Sequence, residues 1–237
     1  MHRNMDPRHL FLDSRLAGDN CVYCGSIADS RDHVPSKILL DDPLPRDLPV
    51  VKACSPCNRG FSLDEEYLAC FVECVIAGSV NPELLSRQKI RSILSRKKDL
   101  ADRIISCKRD SDNGTLLWEP ELERVHNVVV KLAKGHAAYE LFPQYDEPEQ
   151  LQVLPLTAIS ETEKDDFENM GSGDVSGWPE IGSRAFIRAC GAESFSDQSG
   201  PWIVVQPGRY RYAVDEYGGL LVRIVLAEYL ACIVSWK

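Results

Sequence analysis

Two pairs of closely spaced cysteines are the strongest chemical signal in this chain of 237 residues. Cys21 and Cys24 form one C-x2-C pair, and Cys54 and Cys57 form the second. Two intervening residues let both thiolates of a pair face one tetrahedral Zn²⁺ ion. Because sulfur would fill all four positions, we expect a structural zinc with no open position for water. The alternative, four reduced core cysteines, is disfavoured by the paired spacing.

A second set of chemical groups lies between and just after these pairs. The tetrapeptide Asp-His-Val-Pro begins at Asp32, and Asn58 directly follows the last cysteine. Carboxylate and amide oxygens suit Mg²⁺ or Mn²⁺. On a strand, Asp32 and His33 would point to opposite faces. An imidazole titrates near neutral pH and can accept a proton from water. The alternative for His33 is a structural histidine that caps a turn.

Taken in order, these motifs resemble the zinc-containing branch of the HNH endonucleases. The resemblance runs over about residues 19–77, from Cys-x2-Cys-Gly through Asp-His-Val-Pro to Ala-Cys-x2-Cys-Asn and Phe-Ser-x-Asp-Glu-Glu-Tyr. In that family the motif forms a ββα-metal finger that binds one divalent ion and cuts nucleic acid. The resemblance implies that Asp32 and Asn58 bind a catalytic Mg²⁺ or Mn²⁺ and that His33 activates water. It also implies a role in bacterial defence, including anti-phage defence.

The sequence departs from the family pattern at two positions. The family has a middle Asn that fixes the loop carrying the catalytic His, but no Asn occurs from Val34 to Ala53. Asp47 or Asp42 could take that role by accepting hydrogen bonds. The last position is often His, whereas here it is Asn58, a ligand that suits Mg²⁺ better than soft metals. Both changes keep open an alternative function, a zinc-stabilised module that binds nucleic acid or protein without cutting.

A nuclease also needs contacts to phosphates, and one segment is strongly basic. From Asn81 to Arg109 there are nine Lys or Arg residues and three acids. A solvated helix face is the alternative explanation. We expect nucleic acid, DNA rather than RNA, to contact Arg59, Arg87, Lys89, Arg91, Arg96, Lys97 and Lys98.

An acidic run follows the second cysteine pair. Ser62 and Glu65 have the spacing of a capping box, which predicts Ser62 as the N-cap, Glu65 reaching back to it, and a helix that follows and ends near Gly78. Asp64 or Glu66 could instead help to hold the ion or its waters. A second helix is predicted from Pro82, with a buried stripe that reaches Ile105.

A third helix is predicted from Pro120 to about Tyr139, weakened by Gly135. The strand candidate Leu151–Leu156 lies in an acidic stretch that we interpret as a linker or long loop. The C-terminal pattern then predicts antiparallel strands with hairpin turns at 207–208 and 218–219. These strands are Ala185–Ala189, Trp202–Gln206, Tyr210–Asp215, Leu220–Ala227 and Leu230–Trp236.

The predicted fold class is α+β, organised as four segments. Residues 1–80 form a zinc-stabilised HNH-like domain with a ββα-metal finger, and residues 81–140 form a helical region with a basic face. Residues 141–181 form the acidic linker, and residues 182–237 form a C-terminal antiparallel β region. A protein partner or a second copy of the chain, if either binds, is expected at this C-terminal region.

Composition excludes several classes of protein. The net charge of −9 argues against a general nucleic-acid coat, which is normally basic. No apolar run is long enough for a transmembrane helix, so no membrane partner is expected. The first residues lack the apolar core of a signal peptide, which predicts a cytoplasmic protein with reduced cysteines. A zinc deaminase is excluded because His33 is not part of an H-x-E signature.

Overall fold

The computed structural model describes residues 20–46, 48–110, 116–141, 147–170, 201–216 and 219–237. Over these residues the fold is α+β, with a small cysteine-rich unit, a set of helices and a five-stranded antiparallel sheet. The predicted fold class and the C-terminal antiparallel sheet are therefore confirmed. No helix in this part of the chain is both long and apolar enough to span a lipid bilayer.

The cysteine-rich unit, residues 20–61, is called the cysteine module below. Strand β1 (Ser30–His33) pairs antiparallel with β2 (Val50–Ala53), so that Asp32 faces Val51 across the pair. Helix α1 (Ser55–Gly60) follows β2 after Cys54. The order of elements in this module is therefore strand, strand, helix. Its own buried core is small and consists of Cys21, Tyr23, Val34, Val51, Ala53 and Cys54.

The helices that follow support the cysteine module. Helix α2 (Ser62–Ala77) ends at Gly78, whose φ of 64° is left-handed, as the sequence predicts. The predicted second helix is not continuous. A 3₁₀ turn at Pro82–Leu84 precedes α3 (Gln88–Arg96), and the chain bends at Lys97 before α4 (Lys98–Ile105).

A short hairpin and a long helix come next. Strand β3 (Lys108–Asp110) pairs with β4 (Leu116–Trp118), and α5 (Leu122–Leu141) is the long third helix. One face of α5 packs on α2, and another packs on the C-terminal sheet. Helix α5 therefore lies at the centre of the fold, in contact with all three parts.

The C-terminal sheet has the strand order β5-β9-β8-β7-β6, and all pairs are antiparallel. Its strands are β5 (Gln150–Pro155), β6 (Ile203–Gln206), β7 (Tyr210–Glu216), β8 (Leu220–Leu226) and β9 (Leu230–Trp236). One face packs on α5 within the main core, and the other carries Phe167 and Trp202 in a separate cluster.

Part of the expected acidic linker belongs to this sheet. Strand β5 forms its edge by pairing with β9, and α6 (Glu161–Asn169) starts with a capping box at Ser160 and Glu163. The linker interpretation is therefore wrong for these residues. Their alternation of exposed and half-buried side chains is that of an edge strand. The predicted strand Ala185–Ala189 lies outside the described residues.

A close approach joins α5 to the end of β1. A Cβ atom built at Gly135 would lie 2.7 Å from Cγ2 and 3.0 Å from Cγ1 of Val34, the residue after His33. Glycine is therefore needed at this point of the helix for packing, although it lowers helix propensity.

We predict that Gly135→Ala lowers the free energy of unfolding by about 1 kcal/mol, because overpacking against Val34 outweighs the gain in helix propensity. Denaturant titration would measure the change. Gly60→Ala in α1 is the matched control, since nothing lies within 4 Å of its added Cβ and little change is expected. A Gly135→Ala protein as stable as the Gly60→Ala protein would contradict this packing argument.

Candidate metal centre and nuclease-like site

Four cysteine sulfurs converge in the cysteine module. The sulfurs of Cys21, Cys24, Cys54 and Cys57 all lie within 4.8 Å of one another. The Cys24 and Cys54 sulfurs are 3.7 Å apart. A tetrahedral Zn²⁺ with bonds of about 2.3 Å requires sulfur separations of about 3.8 Å. The donor set and its dimensions thus fit a structural zinc ion, and the four-cysteine cluster predicted from the spacing is confirmed.

Local backbone structure brings each pair to the cluster. In the first pair, the N–H of Cys21 donates to Ser26 O and the N–H of Gly25 donates to Cys21 O, which closes a tight turn. Gly25 adopts a left-handed φ of 73° in that turn. In the second pair, the sulfur of Cys54 caps α1 by accepting from the N–H of Cys57 at 3.5 Å. The N–H of Val22 donates to the Lys52 carbonyl of β2 and thereby joins the two pairs.

The cysteines differ in their acid–base character. Hydrogen bonds from Ser26 lower the pKa of Cys24 to about 6. Burial raises the pKa of Cys21, and burial together with neighbouring cysteines raises the pKa of Cys57. Cysteine binds metal as the thiolate, so a bound cation would compensate the negative charge of these four sulfurs.

Strand β1 places Asp32 and His33 on opposite faces of the hairpin. Asp32 is 8% exposed and points into the protein, whereas His33 is half-buried. The Tyr23 hydroxyl donates to Oδ2 of Asp32 at 2.9 Å. Burial, with the Asp32 charge as a second cause, raises the pKa of Tyr23 well above its usual value. Tyr23 therefore stays a hydrogen-bond donor to Asp32.

Helix α1 brings Asn58 to the same strand. The amide nitrogen of Asn58 donates to the Ser30 hydroxyl at 2.7 Å and to the Arg31 carbonyl at 3.0 Å. Both acceptors immediately precede Asp32 and His33 on β1. The amide oxygen of Asn58 is turned away from these two acceptors, since amide nitrogen and oxygen lie on opposite sides of the group. The structure therefore ties Asn58 to the strand that carries the other two predicted residues.

A lysine that the sequence did not single out completes the surroundings of Asp32. Lys131 of α5 is 2% exposed, and its Nζ lies 2.6 Å from Oδ2 of Asp32. The same ammonium forms an ion pair with Glu65 and donates to the Ser36 hydroxyl at 2.9 Å. The signal in the sequence was a lysine between valines and a leucine on an apolar helix, where a charged residue requires a partner.

Glu65 has a different role from the one predicted. It does not reach back to cap α2, because its carboxylate contacts Lys131 and Ser36 in the protein interior. The Ser62 hydroxyl instead donates to the Arg59 carbonyl. The capping-box prediction is therefore wrong: Phe61 is the N-cap, and Ser62 is the first residue of the helix. Local spacing favoured the box, but a buried ammonium is the stronger partner for a carboxylate.

The neighbouring acids pair away from Asp32. Asp64 forms an ion pair with Arg124 at 2.7 Å and accepts from Asn127. Glu66 pairs with Lys97 at 2.6 Å. Neither contact supports the alternative in which these acids hold an ion. Asp47, one candidate for the role of the middle Asn, lies outside the described residues, and its alternative Asp42 is exposed.

The predicted phosphate-binding residues divide into two groups. Arg87 is 7% exposed and donates to Asp41 and to the carbonyls of Ile38 and Leu40, so it braces the loop after β1. Arg87 is therefore corrected to an internal structural residue. The exposed or half-exposed members are Arg59, Lys89, Arg91, Arg96, Lys97 and Lys98.

Helix α3 presents part of this second group to solvent. Arg91 and Arg96 border a shallow depression together with Gln88, Ser92 and Ser95. Lys89 on the same helix reaches the Lys37 carbonyl at 3.4 Å, in the loop that follows His33. The name α3 basic face is used below for Lys89, Arg91 and Arg96. This face adjoins the loop that begins at the candidate site.

Comparison with protein-family models, curated proteins and solved structures found no match for this chain. The class of protein therefore rests on its own residues. Within the described residues, the four cysteines are the one group of three or more His, Cys, Asp or Glu side chains placed to hold a metal ion. A second ion at Asp32 and Asn58 would have two protein ligands.

The side-chain types of Asp32 and Asn58 would suit a hard divalent cation. A carboxylate and an amide oxygen are oxygen donors of the kind that Mg²⁺ and Mn²⁺ take, and these ions keep waters or bind phosphate oxygens at their remaining positions. The ammonium of Lys131 is a competing cation for the same carboxylate.

We predict that Cys24→Ser abolishes the zinc content expected for the wild type, one ion per chain, and lowers the thermal midpoint. Cys24 is exposed, so its replacement removes a ligand without removing core packing. Metal analysis of purified protein and thermal unfolding would measure both effects. Cys70→Ala is the control, because this buried cysteine lies outside the cluster and its variant should keep zinc. Full zinc content in Cys24→Ser would contradict the four-cysteine site.

Proposed function

We propose that this protein is a metal-dependent endonuclease of the HNH kind, which hydrolyses phosphodiester bonds in DNA. The observation that carries the proposal is the link between Asn58 and β1. Two hydrogen bonds from its amide join α1 to Ser30 and Arg31, the two residues just before Asp32 on β1, so the helix that carries Asn58 is fastened to the strand that carries Asp32 and His33. A ββα-metal finger is the arrangement that this order of strand, strand and helix supports.

Each residue at the site has a distinct role in this proposal. Asp32 and Asn58 would hold Mg²⁺ or Mn²⁺, whose chemistry is to stabilise negative charge on the scissile phosphate and the leaving oxygen. His33, half-buried at the end of β1, accepts the proton of the attacking water. The four cysteines would hold a zinc ion that fixes β2, α1 and the Cys21/Cys24 pair relative to one another, so these groups would stand on rigid elements.

The phosphate backbone would approach from the exposed side of the module. Arg59 is exposed and directly follows Asn58. The α3 basic face lies beside the loop that follows His33. Cationic side chains supply the sequence-independent part of nucleic-acid affinity, and they act locally even in a chain of net negative charge. Bacterial defence is the biological setting we propose for such an enzyme.

One observation favours a second candidate function, a zinc-stabilised binding module without catalysis. Oδ2 of Asp32 already contacts the Lys131 ammonium and the Tyr23 hydroxyl, so the carboxylate has a cationic partner and a hydrogen-bond donor without a divalent ion. Such a module would bind nucleic acid or protein in a salt-dependent way and hydrolyse nothing. The cleavage experiment below separates the two candidates.

We predict that zinc-loaded protein cuts plasmid DNA when Mg²⁺ or Mn²⁺ is added, and that His33→Ala slows cutting by at least about 100-fold. The physical reason is the loss of the group that accepts the proton of water. Cleavage rates on plasmid, single-stranded DNA and RNA would be compared with and without added divalent ion. EDTA should be avoided in the ion-free arm, because it would also remove the structural zinc.

His126→Ala on α5 is the matched control and should cut like the wild type, since His126 is a half-buried helix residue with no role in the proposed chemistry. Both variants should retain zinc and unfold at the wild-type temperature. Equal cutting by His33→Ala and wild type would refute the assigned base. No cutting of any substrate by zinc-loaded wild type would favour the binding module.

We predict that replacing Lys89 and Arg96 by Gln weakens DNA binding and lowers the slope of log affinity against log salt by roughly 0.9 for each phosphate that the protein no longer neutralises. Fluorescence anisotropy with a short duplex would measure this, on a His33→Ala background so that the DNA stays intact. Lys164→Gln on α6 removes a charge from an acidic helix and is the control. An unchanged slope in the double variant would show that the α3 basic face is exposed to solvent and does not contact the phosphates.

A further inference from the structure

The strongest unexplained feature of the site is the buried ammonium of Lys131. Lys131 reaches the site from α5 and is 66 residues beyond its second partner, Glu65, in the sequence. The Nζ atom lies 5.7 Å from the ring centres of both Tyr23 and Phe61, which close the space around it. Few buried lysines lack a charged partner, and this one has two.

The charges in this cluster do not balance. Two carboxylates, Asp32 and Glu65, share the single ammonium of Lys131, and the Ser36 hydroxyl bridges Glu65 and Lys131. Asp32 therefore has a permanent cationic partner at 2.6 Å, on the carboxylate to which the proposed function assigns a divalent ion. A monovalent and a divalent cation beside one carboxylate repel each other strongly where water is excluded.

We propose that Lys131 is a positioning residue that pairs with Asp32 and makes binding of the divalent ion depend on the substrate phosphate. In the free protein the ammonium opposes the ion at Asp32. A phosphodiester brings a negative charge to the same place and offsets that repulsion. The ion and the nucleic acid then bind cooperatively, and Lys131 holds the Asp32 carboxylate in place until they do. This inference rests on the proposed function, because it uses Asp32 as an ion ligand.

A purely structural role for Lys131 leads to a different expectation. If the ammonium only fastens α5 to the cysteine module, its removal lowers stability and leaves affinity for divalent ions unchanged. The experiment must therefore measure the affinity for the divalent ion directly, without relying on cleavage. Mn²⁺ serves as the probe, because its electron paramagnetic resonance signal reports the free ion.

The test compares variants matched in shape and charge. Lys131→Met combined with Glu65→Gln removes the ammonium and one carboxylate together, so the net charge of the cluster stays the same while Asp32 loses its cation. We expect zinc-loaded protein with this double change to bind Mn²⁺ at least about tenfold more tightly than wild type, in the absence of nucleic acid. Adding Asp32→Asn should remove the gain. Equal affinity in the folded double variant, or a gain that survives Asp32→Asn, would overturn the proposal.

A second measurement keeps the wild-type cluster and so does not depend on whether the Lys131 variant folds. His33→Ala protein, which leaves DNA intact, is titrated with Mn²⁺ with and without a short duplex. We expect the duplex to tighten Mn²⁺ binding at least about tenfold, and an unchanged affinity would refute the cooperativity. If wild type cuts nucleic acid but neither titration shows a change in Mn²⁺ affinity, the inference about Lys131 fails and the nuclease stands. If both titrations behave as expected and wild type cuts nothing, the nuclease assignment fails and the role of Lys131 stands.

Discussion

The ammonium of Lys131 is the contact on which the arrangement of the site depends. It joins β1 through Asp32, the loop after β1 through Ser36, and α2 through Glu65, all from the central helix α5. Removing one member of such a buried ion cluster typically costs about 3–5 kcal/mol, because the remaining charges stay buried without compensation. An exposed pair such as Arg103 and Glu121 contributes roughly 1 kcal/mol or less. The position of the cysteine module on the helices is therefore fixed by electrostatics as well as by apolar packing.

Within the cysteine module, the four-cysteine cluster can supply stability that the small apolar core cannot. Six buried residues make up the apolar interior of the module, too few to hold two short strands and a short helix by burial alone. A zinc ion bound by the two cysteine pairs would link the elements directly, and its binding energy would become folding energy. The same link would fix α1 against β1, the strand to which Asn58 donates. A structural metal and the proposed chemistry would thus be coupled through α1.

Much of this could be predicted from the sequence, because the signals are local. Cysteine spacing identified the cluster, Gly78 marked the end of α2, and alternating apolar residues identified the strands of the sheet near their observed limits. Two of the incorrect predictions share one cause, which is that contacts distant in sequence decided the outcome. Glu65 satisfied the local rule for a cap but met Lys131 in the interior. Strand β5 was recognised as a strand but placed in a linker, because its partner β9 comes much later in the chain.

The proposed site shows the same division between local and distant information. Asp32 and His33 are adjacent in sequence and Asn58 directly follows a cysteine pair, so the sequence alone was enough to propose them as one site. The partner of Asp32 was not predicted, although a lysine within an apolar helix was a visible irregularity.

The central claim is that Asp32 and Asn58 hold a divalent ion at a phosphate. A crystal structure of zinc-loaded His33→Ala protein, grown with Mn²⁺ and a DNA duplex, tests it most directly by anomalous scattering. The account predicts a manganese peak between Asp32 and Asn58, in contact with a phosphate oxygen. DNA bound at the site with no manganese there, and Lys131 as the only cation on Asp32, would contradict it.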